Sequence, residues 1–286
     1  MSGAVLAVTG LRVRLGGRTV IDGLDLVLPA GRVTALVGRS GSGKSLAARS
    51  LLGLAPRGAE RSGAALLDLG GGRTADLLAA PPDRLRALRG REVGYVFQEA
   101  QASLNPTITV GAHLAETLKA HGVPRGRRRE QGLAALRGAG LDDPAALLRA
   151  YPFELSGGQA QRVALALARA LRPRLLIADE VTSALDPVTQ AGVLDVLRAD
   201  AAAPDGSAPD GSGRALLLVT HDLAVAGRWA DRIAVLDGGR IAEEGPARDV
   251  LAAPRHPFTA ELVRAAAPAG SPPGPGEPAG APGAAR

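Results

Sequence analysis

The sequence predicts an α/β protein, with a parallel sheet core, antiparallel strands before it and a helical insertion within it. Three observations predict this. Residues 33–37, 175–178 and 216–220 are short, nearly unbroken apolar runs, the pattern of strands covered on both faces. Helical patterns follow the first two, which gives the strand–helix alternation of a parallel sheet. From Val110 to about Leu148, Leu114, Leu118, Leu133, Leu136 and Leu141 recur at helical spacing with no strand pattern between them.

The chain has 286 residues, enough to bury a full core in one large domain or two unequal ones. It contains no cysteine, which excludes disulfides, thiolate zinc sites and iron–sulfur clusters and suits a reducing compartment. No apolar run reaches the length that spans a membrane, and the start, Met1 to Val5, lacks the basic and apolar regions of a signal peptide. The net charge of +6 is spread along the chain and does not point to nucleic acid. Its one dense basic stretch, Arg125 with Arg127, Arg128 and Arg129, reads as a solvated helix start. Lysine occurs only as Lys44 and Lys119 in a chain rich in arginine.

In chain order, residues 5–30 read as antiparallel strands. Leu24, Leu26 and Leu28 alternate with Asp25 and Val27, and Gly16-Gly17 and Asp22-Gly23 are turn signals. Residues 64–69 form a further short strand closed by three glycines, followed by a polar connection and a short helix over 84–88. Residues 92–98 read as a strand ending on Gln98. A long helix is expected over 160–171 and another from Pro187 through Leu197. The near-repeat of Pro-Asp-Gly-Ser within 201–214 reads as a flexible surface loop, 233–243 as a hairpin, and Pro268 to Arg286 as a disordered tail of Pro, Gly and Ala.

The organising stretch is Gly38-Arg39-Ser40-Gly41-Ser42-Gly43-Lys44-Ser45, between a buried strand and a helix. That context defines a phosphate-binding P-loop: glycines let backbone N–H groups turn onto a phosphate, and the helix start adds its unpaired donors. Lys44 reaches the β- and γ-phosphates and Ser45 ligates Mg²⁺ in such a loop. Asp179 ends a second buried strand and supplies a metal partner, while Glu180, at the strand exit, is placed to act as general base. Gln98 and His221 follow strands of the same sheet, which brings them to the same edge. A glutamine there can orient water and touch Mg²⁺; a histidine can bond the γ-phosphate.

Leu155-Ser156-Gly157-Gly158-Gln159 resembles the signature sequence of ATP-binding-cassette (ABC) ATPases. Gln98 then falls at the Q-loop, residues 175–180 at Walker B, Ser183-Ala184-Leu185-Asp186 at the D-loop and His221 at the switch histidine. The resemblance spans roughly residues 5–250. It implies a RecA-like P-loop NTPase core with an N-terminal antiparallel β subdomain and an α-helical subdomain inserted at about 99–170. The ATPase domain would occupy 1–250, with a short extension over 251–267 and the tail over 268–286. The cofactors implied are ATP and Mg²⁺. The catalytic residues implied are Glu180, His221 and Gln98, with Mg²⁺ at Ser45, Gln98 and Asp179. Gly38, Ser40, Gly41, Ser42, Gly43, Lys44 and Ser45 would bind nucleotide from one side. Ser156, Gly157, Gly158, Gln159 and Asp186 would serve the ATP of a second, same or related, ATPase subunit.

Within the family, residues 97–106, Tyr151-Pro152-Phe153-Glu154 and Pro254-Arg255-His256-Pro257-Phe258-Thr259 look like the ATPase subunits of dipeptide, oligopeptide and nickel importers. Those subunits work at the cytoplasmic face of the membrane with a permease and, indirectly, an external substrate-binding protein. A soluble ABC ATPase acting on nucleic acid and an exporter subunit carry the same motifs and remain alternatives. Two departures from the family pattern stand out. Val181 occupies the place of a proline after the catalytic Glu. No aromatic lies between Leu11 and Val20 to stack on adenine, which leaves Arg14 or Leu15 for that contact. A loosened base preference follows: in nucleotide titrations GTP should compete with ATP more than is usual for the family, and strict adenine discrimination would refute this.

Overall fold

The computed structural model describes residues 3–183, 185–202 and 213–266, with Gln101 described by its backbone only. Most of the expected loop at 201–214 and the whole tail over 268–286 lie outside the described residues. The chain opens with β1 (Ala4–Leu15), β2 (Arg18–Pro29), β3 (Arg32–Val37) and α1 (Lys44–Leu51). There follow β4 (Glu60–Gly70), β5 (Arg73–Asp76), α2 (Pro82–Leu88) and β6 (Val93–Val96). A helical stretch holds α3 (Ala100–Ser103), α4 (Val110–Ala120), α5 (Arg125–Gly138), α6 (Pro144–Leu147) and α7 (Gly157–Arg169). The chain then alternates through β7 (Leu175–Asp179), α8 (Pro187–Ala202), β8 (Ala215–Thr220), α9 (Leu223–Trp229) and the hairpin β9 (Arg232–Asp237)–β10 (Arg240–Pro246). It closes on α10 (Ala247–Ala252) and α11 (Pro257–Ala266).

Two sheets result. The first is antiparallel, in the order β2-β1-β4-β5; the second runs β10-β9-β3-β8-β7-β6, parallel except for β10. Side chains alternate across the second sheet, so its apolar runs serve two cores. Leu36, Leu175, Ile177, Leu217 and Val219 face the first sheet and α1. Val33, Ala35, Val37, Leu176, Leu216 and Leu218 face α7, α8 and α9. A third core lies within the helical stretch, where Leu114, Leu118, Leu136 and Leu141 are buried and Leu133 is half-buried. This is the P-loop NTPase architecture with an antiparallel β subdomain and an inserted helical subdomain.

Several elements differ from expectation for local reasons. Asp22-Gly23 is no turn; it lies inside β2, beside a break in register where Gly23 has φ +75° and the Gly10 amide donates to Asp25 at 2.7 Å. Such a bulge uses the same residues a turn would. The single helical pattern over 110–148 breaks into three helices, since Gly122 and Gly140 adopt φ near +75° and Asp143 caps α6. β6 stops at Val96, leaving Gln98 two residues past its end. Helix α7 begins three residues early because Ser156 caps it, and the basic stretch is the exposed first turn of α5. β5, α9, α10 and α11 were not anticipated. Central packing makes Leu217, 1% exposed in β8, a sensitive position. Leu217→Ala should destabilise by about 2–5 kcal/mol, read as a lowered urea midpoint.

Candidate nucleotide-binding site

The loop after β3 is built so that only glycine fits at two points. A Cβ on Gly38 would stand 2.4 Å from the Leu236 carbonyl oxygen. Gly43 caps α1 at φ +99°, where a Cβ would also meet Ile21 at 2.7 Å. Lys44 follows, 4% exposed, and its ammonium donates to the carbonyls of Gly38 at 2.9 Å and Arg39 at 3.0 Å. Burial pushes the Lys44 pKa down, while Glu180 and Asp179 pull it back up. Among the described residues Lys44 makes no ion pair, so a buried cation keeps a third N–H to give. The Ser42 hydroxyl beside it is buried with no partner. A phosphate would satisfy both groups, and in this respect the loop fits a nucleotide.

Asp179, wholly buried at the end of β7, is the hub of the site. Ser45 donates to its Oδ1 at 2.7 Å; Tyr95 of β6 donates to Oδ2 at 2.6 Å, and Arg49 stands 3.4 Å from the same oxygen. With its O–H directed at Asp179, the Ser45 hydroxyl keeps its lone pairs for a cation. Tyr95 titrates above the ordinary tyrosine range, first through burial and then through the Asp179 charge. Sequence reasoning missed Tyr95 and Arg49. The signals were there: Arg49 lies one helical turn beyond Ser45 on the same face, and a tyrosine in a strand bound for burial needs a partner for its hydroxyl.

Glu180 leaves β7 with φ +48°, a left-handed backbone unusual outside glycine, and its amide donates to Val219 at 2.9 Å. Its carboxylate accepts from Gln98 Nε2 at 2.9 Å and lies 3.6 Å from His221 Nδ1. Three residues expected at one edge, drawn from segments following β6, β7 and β8, do meet there. Such strained backbones cluster where a side chain must be aimed. Val181 next to it is buried in the second core.

A second cluster forms elsewhere. Ser156 accepts the Gln159 amide at 3.2 Å while Gln159 Oε1 accepts the Ser156 amide at 3.0 Å, a reciprocal cap on α7. Asp186 caps α8 by accepting from Val188 and Thr189, both at 3.0 Å, and the Thr189 bonds hold its pKa low. Thr189 in turn abuts Gly158, where a Cβ would meet it at 2.8 Å, whereas Gly157 is open. Among the described residues no hydrogen bond or ion pair links 156–159 to 38–45. At the expected adenine position, Arg14 pairs with Glu60 at 3.3 Å and Leu15 is half-buried.

Tyr95→Phe keeps the ring and removes one donor from a buried carboxylate. Stability should fall by about 1–2 kcal/mol in urea denaturation; an unchanged midpoint would mean that Ser45 and Arg49 suffice for Asp179.

Among the described residues no helix is long and apolar enough to cross a membrane. A family model described as ABC transporter matches residues 21–183. The dipeptide transport ATP-binding protein DppD of Escherichia coli is 38% identical over 267 residues, 92% of this chain and 78% of that protein. The peptidoglycan transport ATP-binding protein YejF of Agrobacterium fabrum is 42% identical over 263 residues, 90% of this chain and 46% of that protein. Among solved structures, the dimeric ATP-binding cassette MJ0796 with ADP and Pi bound superposes with a TM-score of 0.69 at 26% identity, covering 85% of this chain and 99% of that one. Loop, strand-end carboxylates and signature thus accompany a match over more than half the chain, and the protein belongs to the ABC transporter family as one of its ATPases.

Proposed function

We propose that this chain is the ATP-hydrolysing subunit of an importer that takes up peptides or nickel through a separate permease. The observation that carries the reading is the meeting of Lys44, Ser45, Asp179, Glu180, Gln98 and His221 at one sheet edge. Lys44 and the amides of Gly38 to Ser45, with Ser40 and Ser42, bind phosphate oxygens. Ser45 and Gln98 hold Mg²⁺ and Asp179 reaches it through water. When bound there, Mg²⁺ would supply positive charge to offset that of the phosphates. Glu180 accepts the proton of the attacking water, and Gln98, bonded to it, orients that water. His221 donates to the γ-phosphate and senses its loss.

Ser156, Gly157, Gly158 and Gln159 serve the ATP of a second ATPase subunit, and Asp186 links the two sites. The open face of Gly157 and the separation of this cluster from the chain's own loop support that reading. So does the dimeric state of the related cassette. An apolar groove lined by Leu52, Leu54, Phe97, Leu104 and Leu167, with Phe97 40% exposed, supports a permease contact beside residues 98–106. The named relatives transport dipeptides and peptidoglycan, which favours peptides as cargo. The subunit would sit at the cytoplasmic face of the membrane, held there by the permease. Residues 1–250 form the ATPase domain, and 251–267 its extension.

Glu180→Gln should lose hydrolysis and retain ATP binding. Size-exclusion chromatography of that variant should show an Mg-ATP-dependent shift to a dimer if two copies pair. Binding with no shift would assign the second site to a different ATPase subunit. Near-normal turnover would defeat the general-base role.

A further inference from the structure

We propose that the C-terminal helix α11 positions the phosphate loop: Glu261 and Phe258 hold Arg39, the loop's second residue, and so set the affinity for ATP. Arg39 Nη2 donates to Glu261 Oε1 at 2.5 Å, and its guanidinium carbon stands 5.2 Å from the centre of the Phe258 ring. The backbone of the same residue works inside the loop. Its carbonyl accepts from the Lys44 ammonium at 3.0 Å and from the Ser42 amide at 3.2 Å. Arg39 therefore joins α11 to Lys44, whose ammonium keeps one N–H to give, and to Ser42, whose buried hydroxyl has no partner. The family match over residues 21–183 contains Arg39 but not α11.

The helix side of this contact is anchored independently of the loop. Phe258 is 9% exposed and packs into the second core. The turn before α11 is fixed by Glu243 of β10, whose carboxylate accepts the amides of Arg255 and His256, both at 3.0 Å. His256 Nδ1 accepts the Phe258 amide at 3.2 Å. A rigid support thus grips a loop residue that is otherwise exposed. Without that grip residue 39 regains freedom, and ATP binding must bear the cost of ordering it. An exposed ion pair and a cation–π contact are together worth about three- to tenfold in an equilibrium constant.

This inference rests on the reading that the loop binds ATP, and the test separates the two. ATP affinity, KM and kcat are measured on the full chain for wild type, Glu261→Ala, Arg39→Ala, the double variant, and Lys44→Ala. Glu261→Ala and Arg39→Ala should each weaken ATP binding by about three- to tenfold and raise KM in step, with the kcat of Glu261→Ala changed less than about twofold. The double variant should bind no more weakly than the worse single one, since both remove one contact. Exchanging the charges, Arg39→Glu with Glu261→Arg, should recover part of the loss. If Lys44→Ala abolishes binding and Glu261→Ala spares it, or if the two single losses multiply in the double variant, the role of α11 is overturned. If wild type and Lys44→Ala bind ATP alike, the ATP reading fails and this inference falls with it.

Discussion

A carboxylate with no exposed surface must be paired or it will not stay charged. Asp179 meets that demand with three donors from two different elements: Ser45 and Arg49 from α1, and Tyr95 from β6. These bonds fix α1 against the sheet and with it the glycine loop that precedes the helix. The loop's geometry is therefore set by the burial of a charge as much as by its glycines. The same residue ends β7, so whatever holds Asp179 also decides where Glu180 begins.

The parallel order of β3, β8, β7 and β6 turns sequence order into spatial convergence. Each strand delivers part of the site at its carboxyl end: the loop after β3, His221 after β8, Asp179 and Glu180 at β7, Gln98 beyond β6. Since both faces of the sheet are buried, these strands cannot slip in register without exposing one core and crowding the other. The site inherits its rigidity from that double burial. The signature cluster depends on other devices, two helix caps and a threonine wedged against Gly158, and it owes little to the sheet.

Much of this was legible in the sequence because the chemistry is local and ordered. Glycines followed by Lys-Ser, an apolar run ending in Asp-Glu, and Ser-Gly-Gly-Gln before a helix each specify a short structure with a physical purpose. Long-range pairings were less legible. Tyr95 and Arg49 looked like ordinary strand and helix residues until Asp179 was seen to need them. Asp22-Gly23 carries the composition of a turn, and only the register with β1 makes it a bulge. Helices α10 and α11 escaped notice because α10 is short and α11 gets its order from Phe258 packing into the second core. The contact between Arg39 and Glu261 joins residues separated by most of the chain, beyond any local pattern.

Helix α7 belongs to two cores at once. Ala164 and Leu165 pack against the parallel sheet, while Ala160, Val163, Ala166 and Ala170 pack within the helical layer. Mechanically it is a lever with its pivot near the middle and Ser156 at one tip. About eight residues separate tip from pivot, roughly 12 Å at the helical rise. A tilt of roughly 10° then carries the Ser156 cap through about 2 Å, close to the difference between a made and a broken hydrogen bond. The small residues Ala160, Ala164 and Ala166 let α7 lie close to its neighbours on both sides.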